Sequence, residues 1–331
     1  MTTQRMGDLL TQAQRAGQLD GLHAVVVVRG GETLLEHYGT GEDSSWEHSL
    51  GVVDFGPATL HDLRSVSKSV TALLYGAALG GGAVPEPTEP LLRQFPEYPD
   101  LAADPERAKL TVEHALTMSL GLEWREDIPY DSPDNGEIAM ELAPDRYRYV
   151  LERPVVAPPG ESWTYCGGAT ALLGKLIADG TGQALEAYGG EKLFAPLGVE
   201  QFHWMAGEDG VASPASGLRL TPRDLARVGE LVLADGAWGG RQLVPASWIS
   251  EMLKPRLRTA WGAEYGYHWY LDTVAGHRTA SAMGNGGQRL MILPELDLVV
   301  AVTAGNYDDP EQWRTPMAVL EQVVLPALDE D

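Results

Sequence analysis

The stretch of sequence that decides the fold is Arg64-Ser65-Val66-Ser67-Lys68-Ser69-Val70-Thr71, which leads into an apolar run ending at Leu79. The pattern predicts a buried helix, on which Ser65 and Lys68 lie one turn apart on the same face. Burying an isolated ammonium is costly, so we expect the pKa of Lys68 to fall. A neutral amine beside a serine hydroxyl is a general base beside a nucleophile.

Both residues also have a purely structural interpretation. Serine is favoured at the start of a helix, where Ser65 could cap a backbone N–H group. Lys68 could extend its ammonium to solvent from a half-buried helix. The apolar residues around Lys68 favour the catalytic interpretation.

The composition describes a large globular protein with a strong negative charge. Of the 331 residues, 44% are hydrophobic and 21% are charged, and the net charge is −23. This charge repels phosphate backbones and acidic membrane surfaces. No apolar run is long enough to cross a bilayer. We therefore expect a small-molecule substrate and neither nucleic acid nor a membrane as partner, and the sequence leaves the oligomeric state open.

Cysteine use and the start of the chain predict a cytoplasmic protein. The single cysteine, Cys166, excludes an internal disulfide and fits a reducing compartment. The first residues lack the apolar segment and cleavage site of a secretory signal. Because no histidine pattern accompanies Cys166, we expect a small buried thiol rather than a nucleophile.

No sequence motif indicates a metal or a cofactor. The eight histidines are scattered, without an H-E-x-x-H motif or a Cys/His cluster. The chain also lacks the G-x-x-x-x-G-K-[ST] motif of a phosphate-binding loop. We therefore expect the chemistry to rest on the side chains alone.

Two hairpins and two terminal helices predict an α/β (α+β) fold with an antiparallel sheet. The hairpins are residues 23–38, which turn at Gly30-Gly31, and residues 289–303. Residues 8–16 and 317–324 have helical spacing and could cover one face of the sheet. Residues 65–199 read as helical pieces between Pro-rich loops. We predict a discontinuous sheet domain, residues 1–64 and 200–331, an inserted helical domain, residues 65–199, and an active site between them.

Two further segments carry candidate chemistry. Tyr165 precedes a Gly-rich helix start, and a phenol near a cationic amine has its pKa lowered, which suits proton transfer. Packing is the alternative role. The segment Gly284-Asn285-Gly286-Gly287-Gln288 enters a strand and could offer a main-chain N–H to an oxyanion, or it could be only a bulge or turn.

Together these motifs resemble the serine β-lactamase and penicillin-binding-protein superfamily, and within it the class C-like branch of esterases, D-aminopeptidases and 6-aminohexanoate-dimer hydrolases. Ser65-Val66-Ser67-Lys68 matches S-x-x-K, Tyr165-Cys166-Gly167 falls at Y-x-N, and Asn285-Gly286-Gly287 falls at K-T-G or H-x-G. The resemblance implies Ser65 as nucleophile, Lys68 as base and Tyr165 as proton relay. It also implies that the amides of Ser65 and Gln288 form the oxyanion hole, and that Asn285, Gly286 and Gly287 contact the substrate.

Two departures from the family pattern bear on the substrate. Gly167 replaces the asparagine of Y-x-N, and Asn285 replaces the lysine or histidine of the third motif. Both departures argue against efficient β-lactam turnover and favour a serine hydrolase that cleaves an ester or a linear amide through an acyl-enzyme. A β-lactamase or D,D-peptidase, a D-aminopeptidase and a non-catalytic binding member remain alternatives.

Three aromatic residues are candidates for the acyl pocket. Trp124 and Tyr130 belong to a long loop before the Tyr165 segment, and Trp163 lies just before Tyr165. Core or loop packing is the alternative for all three.

Overall fold

A computed structural model describes residues 2–46 and 48–328. Its fifteen strands among these residues are β1 (Leu22–Arg29), β2 (Glu32–Tyr38), β3 (Thr40–Ser45), β4 (His48–Asp54), β5 (His61–Asp62), β6 (His203–Trp204), β7 (Leu218–Leu220), β8 (Ala237–Trp238), β9 (Arg241–Gln242), β10 (Leu257–Arg258), β11 (Glu264–Tyr265), β12 (Tyr270–Val274), β13 (His277–Gly284), β14 (Gln288–Leu293) and β15 (Leu298–Ala304).

The α-helices of the same residues are α1 (Thr2–Arg15), α2 (Val66–Gly80), α3 (Pro99–Ala102), α4 (Val112–Leu116), α5 (Gly136–Glu141), α6 (Arg146–Leu151), α7 (Gly167–Thr181), α8 (Leu185–Gly189), α9 (Ala195–Leu197), α10 (Pro222–Leu233), α11 (Ala246–Met252), α12 (Arg314–Ala318) and α13 (Leu325–Leu328). Short π-helical segments join α8 to α9 and α12 to α13, and 3₁₀ turns cover Leu91–Gln94, Arg107–Lys109 and Pro294–Leu296. None of the described helices is both long and apolar enough to cross a membrane.

Eight strands form one antiparallel sheet in the order β10-β11-β12-β13-β14-β15-β1-β2. The two predicted hairpins are β1–β2 and β14–β15, and they join in the sheet where β1 pairs with β15. Both ends of the chain therefore contribute to the sheet, and the expected α/β (α+β) fold class is confirmed.

The sheet carries a core on each face because its strands alternate with a period of two. Val26 and Val28 pack on the side of α2 and α10, whereas Val25 and Val27 pack on the side of the terminal helices. Most of the small helices lie between residues 91 and 197, as the sequence predicts. The division into domains at residues 64/65 and 199/200 stays a prediction.

Helix α2 is buried almost all round, and this burial brings Lys68 into the interior. The helix packs against α7, α11 and β13, and Lys68 is only 2% exposed. Helix α10 begins at a local cap, since the Thr221 side chain accepts a hydrogen bond from the Asp224 amide at 3.1 Å and Pro222 opens the helix.

Candidate active site

Ser65 stands at the tight turn that leads into α2. Its predecessor Arg64 has a φ of 48°, a left-handed conformation that is unfavourable for a residue with a side chain. Asp62 holds this turn, because its carboxylate accepts from the Arg64 amide at 2.9 Å and lies 3.3 Å from the Arg64 guanidinium. The Ser65 hydroxyl makes no capping hydrogen bond to the helix. The hydroxyl is therefore available for chemistry, and the N-cap alternative does not describe it.

Lys68 meets the Ser65 hydroxyl inside the protein. Its Nζ lies 3.0 Å from Ser65 Oγ, 3.0 Å from the Ala215 carbonyl and 3.4 Å from a carboxylate oxygen of Glu137. Burial lowers the pKa of Lys68, but Glu137, Tyr165 and Glu126 outweigh burial, so the pKa lies above its ordinary value. The expectation of a lowered pKa is therefore wrong for the resting protein, because the setting of Lys68 is ionic as well as apolar.

Tyr165 completes the cluster around the hydroxyl. The Lys68 ammonium lies 4.8 Å from the centre of its ring, and Tyr165 lines the larger cavity together with Ser65. Burial raises the pKa of Tyr165, Lys68 lowers it, and the nearby glutamates raise it again. The net direction is upward, which corrects the expectation of a lowered pKa. Tyr165 is thus a neutral phenol that can donate a proton.

Two buried glutamates belong to the site, and sequence reasoning missed both. Glu126 accepts hydrogen bonds from the Gly167 amide and the Trp124 indole, each at 2.6 Å, and from the Tyr130 hydroxyl at 3.2 Å. Burial and the neighbouring Glu137 raise the pKa of Glu126. Although burial raises the pKa of Glu137, Lys68 lowers it further, and the net direction is downward.

The Gly-rich hairpin between β13 and β14 borders the nucleophile at its β13 end. A Cβ atom at Gly284 would lie 3.1 Å from the Ser65 amide nitrogen. Gln288 stands across the hairpin, opposite Gly284, and its side chain is buried against the main chain of Ala304. The Asn285 amide donates no hydrogen bond to any described residue, while the Asn285 side chain is held by Asp308. The Gln288 amide as second oxyanion donor stays a prediction, and the Asn285 amide, which follows Gly284 and has no partner among the described residues, is the other candidate.

Two cavities open beside Ser65. The larger has a volume of about 500 Å³, and the smaller about 200 Å³. Asn285 and Tyr130 line both, whereas Trp124 and Trp163 are not among their described lining residues. Gly287 lines the larger cavity. Gly286 donates its amide to Gln312, which braces the hairpin from behind.

The other two aromatic candidates pack instead of lining these cavities. Trp124 lies against Gly136 and Gly168, where an added Cβ would touch its indole ring. Trp163 stacks edge-on against Tyr265 and Trp261. Their contribution to substrate binding stays a prediction, and packing is what the structure describes for them.

An unpaired cation lines the larger cavity. Arg289 lies on β14 and forms no ion pair with the described residues, and its Nε atom is buried without a hydrogen-bond partner among them. Burial lowers the pKa of Arg289. Sequence reasoning did not single this residue out, because an arginine in a strand carries no motif of its own.

Among the described residues, one cluster of histidine and aspartate lies behind the nucleophile turn. His23 Nδ1 is 2.9 Å from His61 Nε2, and Asp43 lies 3.7 Å from His61. Tyr307 donates to Asp43 at 2.7 Å, and its ring lies under the Arg64 guanidinium at 4.7 Å. The fold thus brings together two histidines that look scattered in the sequence. Because the two rings are hydrogen-bonded to each other directly, we interpret the cluster as structural support for Arg64.

Comparison with known proteins identifies the family. A sequence profile of the Beta-lactamase family matches residues 7–323. The chain belongs to this family. It is therefore a serine hydrolase of the β-lactamase fold, as the motifs predict.

Relatives of this beta-lactamase family protein include hydrolases of several kinds. The 6-aminohexanoate-dimer hydrolase of Paenarthrobacter ureafaciens is 26% identical over 312 residues, which are 87% of this chain and 73% of that protein. The structure of EstCE1, a hydrolase with promiscuous acyltransferase activity, has a TM-score of 0.77 and 15% identity, with 98% of each chain covered. A family VIII carboxylesterase has a TM-score of 0.73 and 16% identity, with 96% and 97% covered. Both structural similarities concern the fold.

Proposed function

We propose that this protein hydrolyses an ester or a linear amide through an acyl-enzyme on Ser65, most like a carboxylesterase or a 6-aminohexanoate-dimer hydrolase. One observation carries the proposal: Lys68 Nζ lies 3.0 Å from Ser65 Oγ, in a buried cluster beside an open cavity. A hydroxyl in contact with a buried amine is the arrangement of an activated nucleophile. No metal or cofactor is needed for this chemistry.

The reaction has two halves. Lys68 removes the proton of Ser65, and Oγ attacks the carbonyl carbon. The amide of Ser65, together with that of Gln288 or Asn285, stabilises the oxyanion, and Tyr165 donates a proton to the departing alcohol or amine. A water molecule then attacks the acyl-enzyme, with the proton relay running in reverse, and releases the acid and Ser65.

The choice of ester or linear amide rests on the two altered motifs and the cavity. Gly167 lacks the amide side chain, and Asn285 lacks the lysine or histidine side chain, that lactam-processing relatives present to their substrates at these positions. The larger cavity, of about 500 Å³, has room for an extended acyl chain. The named relatives, a carboxylesterase and a dimer hydrolase, agree with this choice. The single buried cysteine supports the cytoplasm as the proposed location.

A fluorophosphonate probe tests the nucleophile. We expect it to add mass to the peptide that contains Ser65, and Ser65→Ala to abolish both labelling and hydrolysis of nitrophenyl esters. Lys68→Ala and Tyr165→Phe should each lower the rate by at least about a hundredfold, the low end for general acid–base catalysis.

The outcomes separate the alternatives. Label on another residue, or none on folded protein, would contradict the acyl-enzyme and favour a binding protein. Turnover of nitrocefin faster than nitrophenyl esters would instead identify a β-lactamase, and preferential turnover of D-amino-acid amides would identify a D-aminopeptidase.

A further inference from the structure

A carboxylate stands where this family's second motif has an amide side chain. An ideal Cβ at Gly167 would lie 2.6 Å from Glu137 Oε2 and 3.0 Å from Glu137 Cδ. Any side chain at position 167 would therefore collide with this carboxyl group. Helix α5 delivers Glu137 to the spot, since Asn135 caps the helix and accepts the Glu137 amide at 3.0 Å. The Glu137 carboxyl group thus occupies the space that the asparagine side chain of the Y-x-N motif would need, and glycine at position 167 leaves that space free.

The contacts of Lys68 show what the carboxylate does. Nζ has three partners, namely Ser65 Oγ, the Ala215 carbonyl and Glu137 Oε2. A charged ammonium has three N–H groups and can donate one hydrogen bond to each of these three oxygen atoms. If one proton moves to Glu137, the amine keeps two N–H groups and gains a lone pair that can face Ser65. Lys68 Nζ can therefore keep the same position and the same three neighbours whether the amine is charged or neutral.

Glu126 completes the charge balance of the cluster. Its Oε1 lies 4.0 Å from Lys68 Nζ, and the neighbouring Glu137 raises its pKa. Two adjoining buried carboxyl groups resist carrying two charges, so one of them keeps a proton. The raised pKa of Glu126 and the lowered pKa of Glu137 assign that proton to Glu126. The pair then carries one negative charge, which neutralises the single charge of Lys68.

Building on the acyl-transfer function proposed above, we propose that Glu137 is a positioning residue that accepts a proton from Lys68 and thereby makes Lys68 the base for Ser65. As Ser65 Oγ bonds to the carbonyl carbon, its hydroxyl proton moves to Lys68 while Lys68 passes another proton to Glu137, so Lys68 stays an ammonium throughout the step. When the bond to the leaving group breaks, that group takes a proton from the Lys68 and Tyr165 relay. Glu137 then returns its proton to Lys68, so acylation consumes no net proton.

Removal of the charge at Glu137 tests this role. We expect Glu137→Gln to lower kcat for nitrophenyl acetate at pH 7 by at least about tenfold, a part of what a general base supplies. KM should change less than kcat, because Glu137 is buried and lines only the smaller of the two cavities. Glu113→Gln is a matched control, since Glu113 accepts from Tyr267 at 2.7 Å in the same part of the chain and does not contact Lys68.

The pH profile separates a proton acceptor from a structural support. The charged or titratable groups facing Lys68 are Glu137, Glu126, Tyr165, Cys166 and His268. In the wild-type protein the acid limb of kcat should follow protonation of Glu137 and lie at low pH. In Glu137→Gln the limb belongs to Lys68, so it moves to higher pH and activity recovers in alkali. A loss by the same factor at every pH would overturn the proposal.

A double variant tests whether an amide could serve as well. Glu137→Ala combined with Gly167→Asn restores the family's usual side chain and vacates the space that it needs. We expect this variant to fold, as judged by circular dichroism, but to stay slow, whereas Glu137→Asp keeps part of the activity. Wild-type rates in the double variant or in Glu137→Gln would refute the proposed role of Glu137 and leave the acyl-transfer function intact. If the wild-type protein itself neither labels nor hydrolyses esters, the acyl-transfer function fails and this proposal with it.

Discussion

Arg289 presents a cation to the larger cavity without a carboxylate of its own. Desolvating a guanidinium costs free energy, and proteins normally offset that cost with an ion pair or hydrogen bonds. Among the described residues, Arg289 has no ion pair, and its Nε atom also lacks a hydrogen-bond partner. A negatively charged group of the substrate would supply the missing partner. We therefore expect the cavity to favour an acyl chain or leaving group that ends in a carboxylate and places it at Arg289, away from the lining residues Asp127, Asp308 and Asp309.

Replacing Arg289 should change the preference among substrates. We expect wild-type protein to cleave the nitrophenyl monoester of a dicarboxylic acid more efficiently than a neutral ester of equal length. Arg289→Met should lower that ratio of kcat/KM by about tenfold, in keeping with the loss of a charge-assisted hydrogen bond. Arg278→Met is the control, because Arg278 is exposed and paired with Glu295 at 2.7 Å. An unchanged ratio in Arg289→Met would show that the guanidinium does not meet the substrate.

Helix α2 owes its position to close contacts as well as to its apolar residues. A Cβ at Gly76 would lie 2.0 Å from Trp248 Cδ1, so the tryptophan ring packs directly on the helix backbone. The Trp248 indole also donates to the Ala72 carbonyl at 3.0 Å. The helix that carries Lys68 is thus fixed against α11 by one aromatic side chain.

This contact predicts opposite effects of two similar substitutions. Gly76→Ala should lower the free energy of unfolding by about 1–3 kcal/mol through overpacking, even though alanine favours a helix. Gly7 in α1 has no atom within 4 Å of its Cβ position. Gly7→Ala should therefore raise the free energy of unfolding by about 0.5–1 kcal/mol. Urea unfolding of both variants checks the pair, and stabilisation by Gly76→Ala would contradict the contact.

Local sequence patterns predict the secondary-structure elements of this protein and the order of its motifs. The β-branched run of residues 25–28 and the Gly30-Gly31 turn define the β1–β2 hairpin, because both depend only on neighbouring residues. The N-terminal cap formed by Thr221 likewise defines the start of helix α10. The spacing of Ser65 and Lys68 likewise suffices to bring hydroxyl and amine together on α2.

The chemistry of the site depends on distant partners that no spacing reveals. Glu137 reaches Lys68 from 69 positions away in the sequence, and together with Tyr165 and Glu126 it reverses the direction of the Lys68 pKa shift. The choice between Asn285 and Gln288 depends on the register of a hairpin, since the turn decides which amide faces Ser65. Burial can be predicted from composition, but the sign of a buried charge's pKa shift cannot.

Across the whole molecule, buried titratable groups and the net charge of −23 set the response to pH. Burial lowers the pKa of His23 to about 4 and that of His268 to about 3, from 6.5. Burial lowers the pKa of His61 as well. Below pH 6.5 the unfolded chain binds protons that the folded chain does not, so stability rises with pH up to that value.

Buried glutamates act in the opposite sense at higher pH. Burial raises the pKa of Glu141 from 4.5 to about 7, and it raises that of Glu126 as well. The folded chain therefore keeps protons that the unfolded chain has lost, and stability falls as pH rises through this window. Below pH 6.5 the lowered pKa values of five histidines (His23, His37, His61, His114 and His268) outweigh the raised pKa values of three glutamates (Glu126, Glu141 and Glu230). Above pH 6.5 the effect of the glutamates dominates, and repulsion among the acidic residues adds to it.

We therefore expect the melting temperature to peak near pH 6.5 and to fall on both sides. Each proton of difference changes the free energy of unfolding by about 1.4 kcal/mol per pH unit. Calorimetry between pH 5 and pH 9 would locate the maximum. Glu141→Gln should flatten the fall just above pH 6.5. A melting temperature that climbs steadily to pH 9 would show that the buried glutamates are ionised in the folded protein, and it would also contradict the proton that we assign to Glu126.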